Sequence, residues 1–381
     1  MTRRLLTLCF AALLAAAPAQ ARDTVAIGYS GPLSGGAALY GKNALTGLEM
    51  AAAEINEAGG VEVGGKRHRV AIVPLDDRYA PSEAAINAKR LRAQHKAPVI
   101  FVVHSGGAFA MQAFNQRDGF IVAAYTSVPE ITEKGNRLTL RIPPNLSGYV
   151  WPFIDTQMQR YGKKLGMAGA DHDYAKTWAA LMEPAWKAAG GTVVANNPMS
   201  YNKDTDFYSG ISRVLAAAPD VLFMGGPSEP SALVLRQARE LGFKGGVILM
   251  DQAKMDEMAR LLGGDYGLLE GAIGTLPVAA DQRPGAQAFT RKFREAHGRD
   301  PTSETSLNYN ALHAVAGAMK LAGTTTDAKA IHARLAEAFA ALPVDRNPHA
   351  IAGVDEKGGT TLQVVVGFVD KGQVVAIQAP K

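Results

Sequence analysis

Val99-Ile100-Phe101-Val102-Val103-His104-Ser105-Gly106-Gly107-Ala108 is the stretch whose reading decides the fold. A fully apolar run ends in a short polar loop with two glycines, and a helix begins near Ala108. A strand with no polar alternation belongs in a parallel sheet covered on both faces. The neighbouring segments repeat the pattern. Residues 25–29 form an apolar strand ending in Ser30-Gly31-Pro32. Residues 43–57 are helical, with Leu45, Leu48, Ala52 and Ile55 at helical spacing, and Gly59-Gly60 stops them. Residues 69–75 are a strand running into Asp76-Asp77, and Pro81 opens the next helix at a position where proline is tolerated. Residues 120–125 are a strand running into Thr126-Ser127.

A second alternating set follows. Strands are predicted at 165–170, 192–195, 221–224 and 247–250, with helices at 174–189 and 231–241. Three helices then come in a row, at 284–297, 303–321 and 328–340. The tail, 361–378, is two β-rich runs about Asp370-Lys371-Gly372, a hairpin signal. This order predicts an α/β protein of two doubly wound Rossmann-like lobes joined by a hinge. The linkers are placed at Ile142-Pro143-Pro144-Asn145 and Gly274-Thr275-Leu276-Pro277, with a third crossing near Gly353 to Gly358. The first lobe is then 22–143 plus 278–352, and the second 144–277 plus 353–381.

Composition agrees with a folded, two-domain chain. It has 381 residues, 47% of them hydrophobic and 20% charged, which is too apolar for disorder. Residues 1–21 read as a cleaved export signal. Arg3 and Arg4 precede an apolar run, Pro18 breaks it, and Ala19-Gln20-Ala21 is a small-residue cleavage site. The apolar run is shorter than the about 20 residues that span a bilayer. The only cysteine, Cys9, leaves with the signal, so no disulfide or thiolate chemistry is expected. No block of Lys or Arg stands out, which argues against nucleic acid.

Enzymatic motifs are absent. Gly36 to Asn43 and Gly60 to Arg67 imitate a phosphate loop, but each lacks its Ser or Thr. No two glycines are separated by a single residue, so the dinucleotide fingerprint does not occur. Asp171-His172-Asp173 reads as a turn and helix cap rather than a metal site. No cofactor and no metal are expected.

In doubly wound sheets ligands bind beyond the carboxyl ends of the strands. That rule selects Ser30, Ser105, Thr126, Ala170 to Tyr174, Gly225 to Ser228, and Asp251. Backbone N–H groups at Ser105-Gly106-Gly107 suit an anion. Thr126 could touch the same carboxylate, and the Ala124 carbonyl and Asp251 an ammonium. The competing reading makes Ser105, Thr126 and Asp251 ordinary helix caps.

At these residues the chain resembles the leucine/isoleucine/valine-binding family of periplasmic solute receptors. The resemblance rests on Gly31-Pro32-Leu33-Ser34-Gly35, Glu54-Ile55-Asn56 with Gly59-Gly60-Val61, Asp76-Asp77 with Pro81, and Pro129-Glu130-Ile131-Thr132. In the second half it rests on 220–226, Leu235 to Arg239 with Gly242, and Asp355-Glu356-Lys357-Gly358. It implies a type I periplasmic binding protein fold and no catalysis. It implies an amino-acid ligand, branched-chain or otherwise hydrophobic, between two closing lobes. The partner it implies is the membrane permease of an ABC importer, served by a monomeric receptor in the periplasm. The family's ligand-binding positions fall on Tyr40, Ser105, Gly106, Ala124, Thr126, Tyr174 and Asp251, and Ser228 stands in the loop where the family often has a second aromatic. The family's ammonium-binding acid is usually glutamate, so Asp251 is one methylene shorter. Three rivals stand beside this reading: a receptor for a small, for example aromatic, carboxylic acid; a binding protein feeding a sensor; and an exported enzyme.

The export signal predicts cleavage after Ala21. N-terminal sequencing of protein recovered from the periplasm should begin at Arg22, and an intact Met1 form there would contradict it.

Overall fold

The computed structural model describes residues 23–377. The signal segment 1–21 and its cleavage site lie outside the described residues. Among the described residues no helix is long and apolar enough to cross a membrane.

The first sheet contains β1 (Thr24–Gly31), β2 (Val61–Val63), β3 (Lys66–Asp76), β4 (Val99–Val102), β5 (Ile121–Ala124) and β6 (Thr139–Arg141), in the order β2-β3-β1-β4-β5-β6. All pairs are parallel except the β2–β3 hairpin. The second sheet contains β7 (Lys164–Met167), β8 (Thr192–Asn196), β9 (Val221–Met224), β10 (Gly246–Leu249) and β11 (Ala272–Thr275). A short ribbon of β12 (Gly353–Val354) and β13 (Thr360–Thr361) precedes the last two strands, β14 (Val366–Asp370) and β15 (Gln373–Ile377). The second sheet runs β15-β14-β11-β10-β9-β7-β8, with β14 and β15 antiparallel at one edge. Each lobe therefore has five parallel strands whose order reverses once, between β1 and β4 and between β7 and β9. Loops that leave the carboxyl ends at such a reversal diverge and leave a crevice.

The apolar run at β4 explains itself in packing. Val99, Phe101 and Val103 enter one core, with Ile27 of β1 and Leu48, while Ile100 and Val102 enter the other, with Leu91 and Val122. All five side chains are fully buried. A strand with helices on both faces has no solvent side, so it needs no polar alternation.

Several elements differ from the sequence reading. The helix expected from Asn43 starts at Ala38. The helix expected at 328–340 is broken into Ala328–His332 and Leu335–Ala340. Gly274 and Thr275, read as linker, belong to β11. Four residues with a glycine inside carry too little pattern to announce a strand. The third crossing lies later than Gly353–Gly358. Arg141 N donates to Gly358 O at 2.8 Å and Thr360 Oγ1 to Ile142 O at 2.7 Å, which ties the β12–β13 ribbon to the first sheet. The chain reaches the second sheet only where Leu276 N donates to Val365 O at 3.2 Å. The closing hairpin is as expected. Lys371 (φ 52°) and Gly372 (φ 71°) form its two-residue loop, the left-handed pair that matches strand twist.

Helix Ala38–Glu57 crosses helix Ser303–Ala322 at Gly47, where an added Cβ would lie 2.0 Å from the Thr305 carbonyl oxygen. Gly47→Ala should lower stability by about 1–3 kcal/mol, although alanine is the better helix former by about 1 kcal/mol. A lower urea midpoint at unchanged slope is the expected result.

Candidate functional site

The site forms where the strand ends of the two sheets face each other. After β4, helix Ser105–Gln112 begins, and its cap is His104, whose Nδ1 accepts from Gly107 N at 3.0 Å. The Ser105 hydroxyl is thereby spared capping and lies 2.7 Å from Thr126 Oγ1, beyond β5. The capping alternative is thus answered at Ser105 by its neighbour. Gly106 and Gly107 are required by packing: a Cβ on Gly106 would lie 2.7 Å from Pro81 Cγ, and one on Gly107 2.7 Å from His104 Cε1.

After β3, Asp76 and Asp77 each accept from the backbone two residues on, at 2.9 Å, and hold Arg78 and Tyr79 at positive φ. Non-glycine residues avoid that region. The strained turn brings the Tyr79 ring onto His104, with centroids 4.7 Å apart, and His104 Nε2 lies 3.2 Å from Asp77 Oδ2. From the other lobe, Gln252 Nε2 donates to the Tyr79 hydroxyl at 2.8 Å.

The second lobe contributes Asp251, two residues past β10 and 7% exposed. Its Oδ1 accepts from Ser127 Oγ at 3.0 Å, from Trp178 Nε1 at 2.9 Å, and from the Tyr174 hydroxyl. Tyr174 and Trp178 stand one turn apart on helix Asp173–Ala188, so both reach one atom. Burial foremost, and then the Asp251 charge, push the Tyr174 hydroxyl well above its usual range, so it stays a neutral donor. Three neutral donors hold the carboxylate without cancelling its charge. None of these bonds uses Oδ2.

Tyr40, Ser105, Thr126, Tyr174 and Asp251 line one narrow cavity, with Tyr79 and Tyr125. Tyr125, Pro143 and Asp251 also line a second cavity, which reaches Lys254. Gly106 lies apart, at an outer mouth between Pro81 and Asp173. Two expected residues are not brought to the cleft. The Ala124 carbonyl accepts from Ile142 N at 2.9 Å inside the sheet, and Ala124 is fully buried. Ser228 Oγ accepts from Lys254 N at 3.0 Å and fixes a loop instead of lining the cavity. His172 is the cap of its helix, with Nδ1 3.4 Å from Ala175 N, and no metal cluster exists among the described residues. Sequence reasoning missed Tyr79, Ser127, Trp178, Gln252 and Lys254. The only local signal was the Asp76-Asp77 turn.

A second seam between the lobes is acidic. Asn43 Nδ2 donates to Glu257 Oε1 at 2.6 Å and lies 3.4 Å from Glu304 Oε1. Arg299 Nη2 donates to Asn43 Oδ1 at 2.8 Å, which orients the amide toward both acids. Glu304 is fully buried, and burial pushes its carboxyl up to about 8, against the pull of Lys254.

Two α/β lobes with a polar, enclosed cleft at facing strand ends define a protein that takes hold of a small molecule. The chain belongs to the periplasmic binding protein family, whose profile matches residues 24–372. It is 28% identical over 365 residues to the leucine-, isoleucine-, valine-, threonine- and alanine-binding protein of Pseudomonas aeruginosa, covering 94% of this chain and 93% of the relative. It is 29% identical to a Leu/Ile/Val-binding protein homologue of Brucella suis, covering 81% of this chain and 80% of that one. A leucine-binding protein of Thermotoga maritima has the same fold, with a TM-score of 0.77 at 24% identity over 93% of this chain and 98% of the other. So does a solute-binding protein of R. palustris in complex with benzoate, with a TM-score of 0.78 at 20% identity over 93% and 95%.

The Glu304 carboxyl generates a pH dependence. Its folded pKa lies above the usual carboxylate value, so between about 4.5 and about 8 the native state holds a proton that the unfolded chain has lost. Its contribution to stability is complete below that window and falls away as pH rises through it. Glu304→Gln should flatten this slope, and thermal melts of wild type and variant at pH 5, 6.5 and 8 should converge at the acid end.

Proposed function

We propose that the chain is the periplasmic substrate-binding component of an ABC importer and that it binds an α-amino acid in the interlobe cleft. The observation that carries the reading is the placing of an anion-type loop and an acid on the two walls of one cavity. The backbone at Ser105 with the Ser105 and Thr126 hydroxyls receives the carboxylate, and Asp251 Oδ2 receives the ammonium. Tyr40 and Tyr174 close the sides. Leu276, Val278 and Leu307 along the second cavity support a branched-chain or other hydrophobic side chain, as the names of the relatives do. The reading includes no catalysis, a monomeric receptor and a permease as partner.

The moving bodies in this reading are 23–143 with 278–361, and 144–277 with 366–377. They meet through Ser127–Asp251, Tyr79–Gln252 and Asn43–Glu257. The Tyr79 and His172 rings also meet across the seam, with centroids 5.2 Å apart, and polar contacts beside it suit a hinge that opens and closes.

A small carboxylic acid is the second reading. What favours it is that Asp251 Oδ1 already has three donors, so the acid has a structural role without an ammonium.

Asp251→Asn decides between them. The variant keeps Oδ1 for Ser127 and Trp178 and removes the charge. Losing one partner of a buried charge pair costs about 2–5 kcal/mol, so leucine affinity should fall roughly 30-fold or more. Affinity for its amine-free analogue should hold or improve. Ser105→Ala should weaken both ligands alike. Calorimetry in which Asp251→Asn leaves leucine binding intact would remove the amino-acid reading.

A further inference from the structure

The second cavity has mixed walls, with Leu276, Val278 and Leu307 beside Asp281, Arg283 and His349, and Lys254 stands out among its charged groups. Lys254 lines it, is 4% exposed, and makes no ion pair among the described residues. Its Nζ donates to the Asp251 carbonyl, which occupies one of three N–H bonds. A buried ammonium is costly unless it is paired.

The other charged groups on this cavity have partners of their own. Arg283 Nε donates to both oxygens of Asp281, at 2.8 and 3.0 Å, and its Nη1 reaches the His349 carbonyl at 2.8 Å. His349 is held neutral, because burial pushes its imidazole down to about 3, and its Nε2 lies 2.6 Å from Ser306 Oγ. Asp251 is gripped by Ser127, Tyr174 and Trp178. Glu304 and Asp256 act on Lys254 from beyond ion-pair distance, and burial raises both carboxyls, to about 8 and about 6. Of the cations that line the cavity, Lys254 is the one with no carboxylate in contact among the described residues; Glu304 and Asp256 act on it from farther away.

We infer that Lys254 is an anion-binding subsite in the second cavity, beside the Asp251 turn, which selects an amino acid whose side chain ends in a carboxylate. The inference rests on the head-group reading above and replaces its wholly hydrophobic side chain: an apolar stem lies along Leu276 and Leu307, and its terminal carboxylate meets Lys254. Charge then balances at each end, ammonium on Asp251 and carboxylate on Lys254. The rival account makes Lys254 a staple for the Asp251–Lys254 turn, through its Nζ and through its backbone N on Ser228. A staple has no preference for ligand charge.

Calorimetry on the full chain, with glutamate and 2-aminoadipate against glutamine and norleucine, separates the two. At least one acid should bind roughly tenfold or more tighter than its neutral counterpart, the margin of about 1.4 kcal/mol that a charge-assisted contact supplies. Lys254→Met should bring that ratio toward one, and Lys254→Arg should keep it. Melting curves of both variants report whether the turn survives. Neutral amino acids that bind through Asp251 while the acids bind no tighter would overturn the Lys254 subsite alone. Failure of all four amino acids to bind would overturn the head-group reading with it.

Discussion

The structure hangs on one buried carboxylate. Asp251 is taken out of water at the meeting of two lobes, and a lone charge there is untenable without donors. Ser127 supplies one from the first lobe, and Tyr174 and Trp178 supply two from the second. All three are neutral, so the charge is solvated by the protein without being spent. Gln252 N also donates to the Tyr174 hydroxyl, at 2.9 Å, so the loop that carries the acid is tied to the helix that holds it. The hinge motion proposed above would part Ser127 from this arrangement.

The two walls of the cleft are unlike each other. On the first lobe, polarity comes from hydroxyls and backbone at the start of one helix, with His104 taking the cap and leaving Ser105 free. On the second, it comes from side-chain charge, Asp251 and then Lys254. Between them lie Tyr40, Tyr125 and Pro143, which exclude water and raise the strength of any contact made inside. The acidic seam at Asn43, Glu257 and Glu304 lies outside this gradient. It joins the same two bodies by a neutral amide between two acids; Arg260 pairs with Glu257 at 3.2 Å, and burial raises the Glu304 carboxyl.

What was legible in the chain followed from burial. Residues 99–103 must be apolar on both faces because helices cover both, and that alone fixes a parallel sheet with its ligand crevice at one end. Ser105, Thr126 and Asp251 were found because each follows a strand directly. Short or glycine-containing strands such as β11 left no trace, since four residues cannot show a period. Gly47 reads as an ordinary glycine until the carbonyl of Thr305 is seen against it.

The amino-acid sequence by itself determined the strand–helix order, the closing hairpin and the residues that end the strands, because these depend on neighbours within a few positions. Tertiary structure alone decided which of those ends share a cavity. It withdrew Ala124 into the sheet and Ser228 into a loop contact, and brought in Tyr79, Ser127, Trp178 and Lys254. Those four come from segments up to 175 positions apart, between Tyr79 and Lys254. Local pattern holds no record of such a meeting, because it is set by how two separately folded sheets face each other across a hinge.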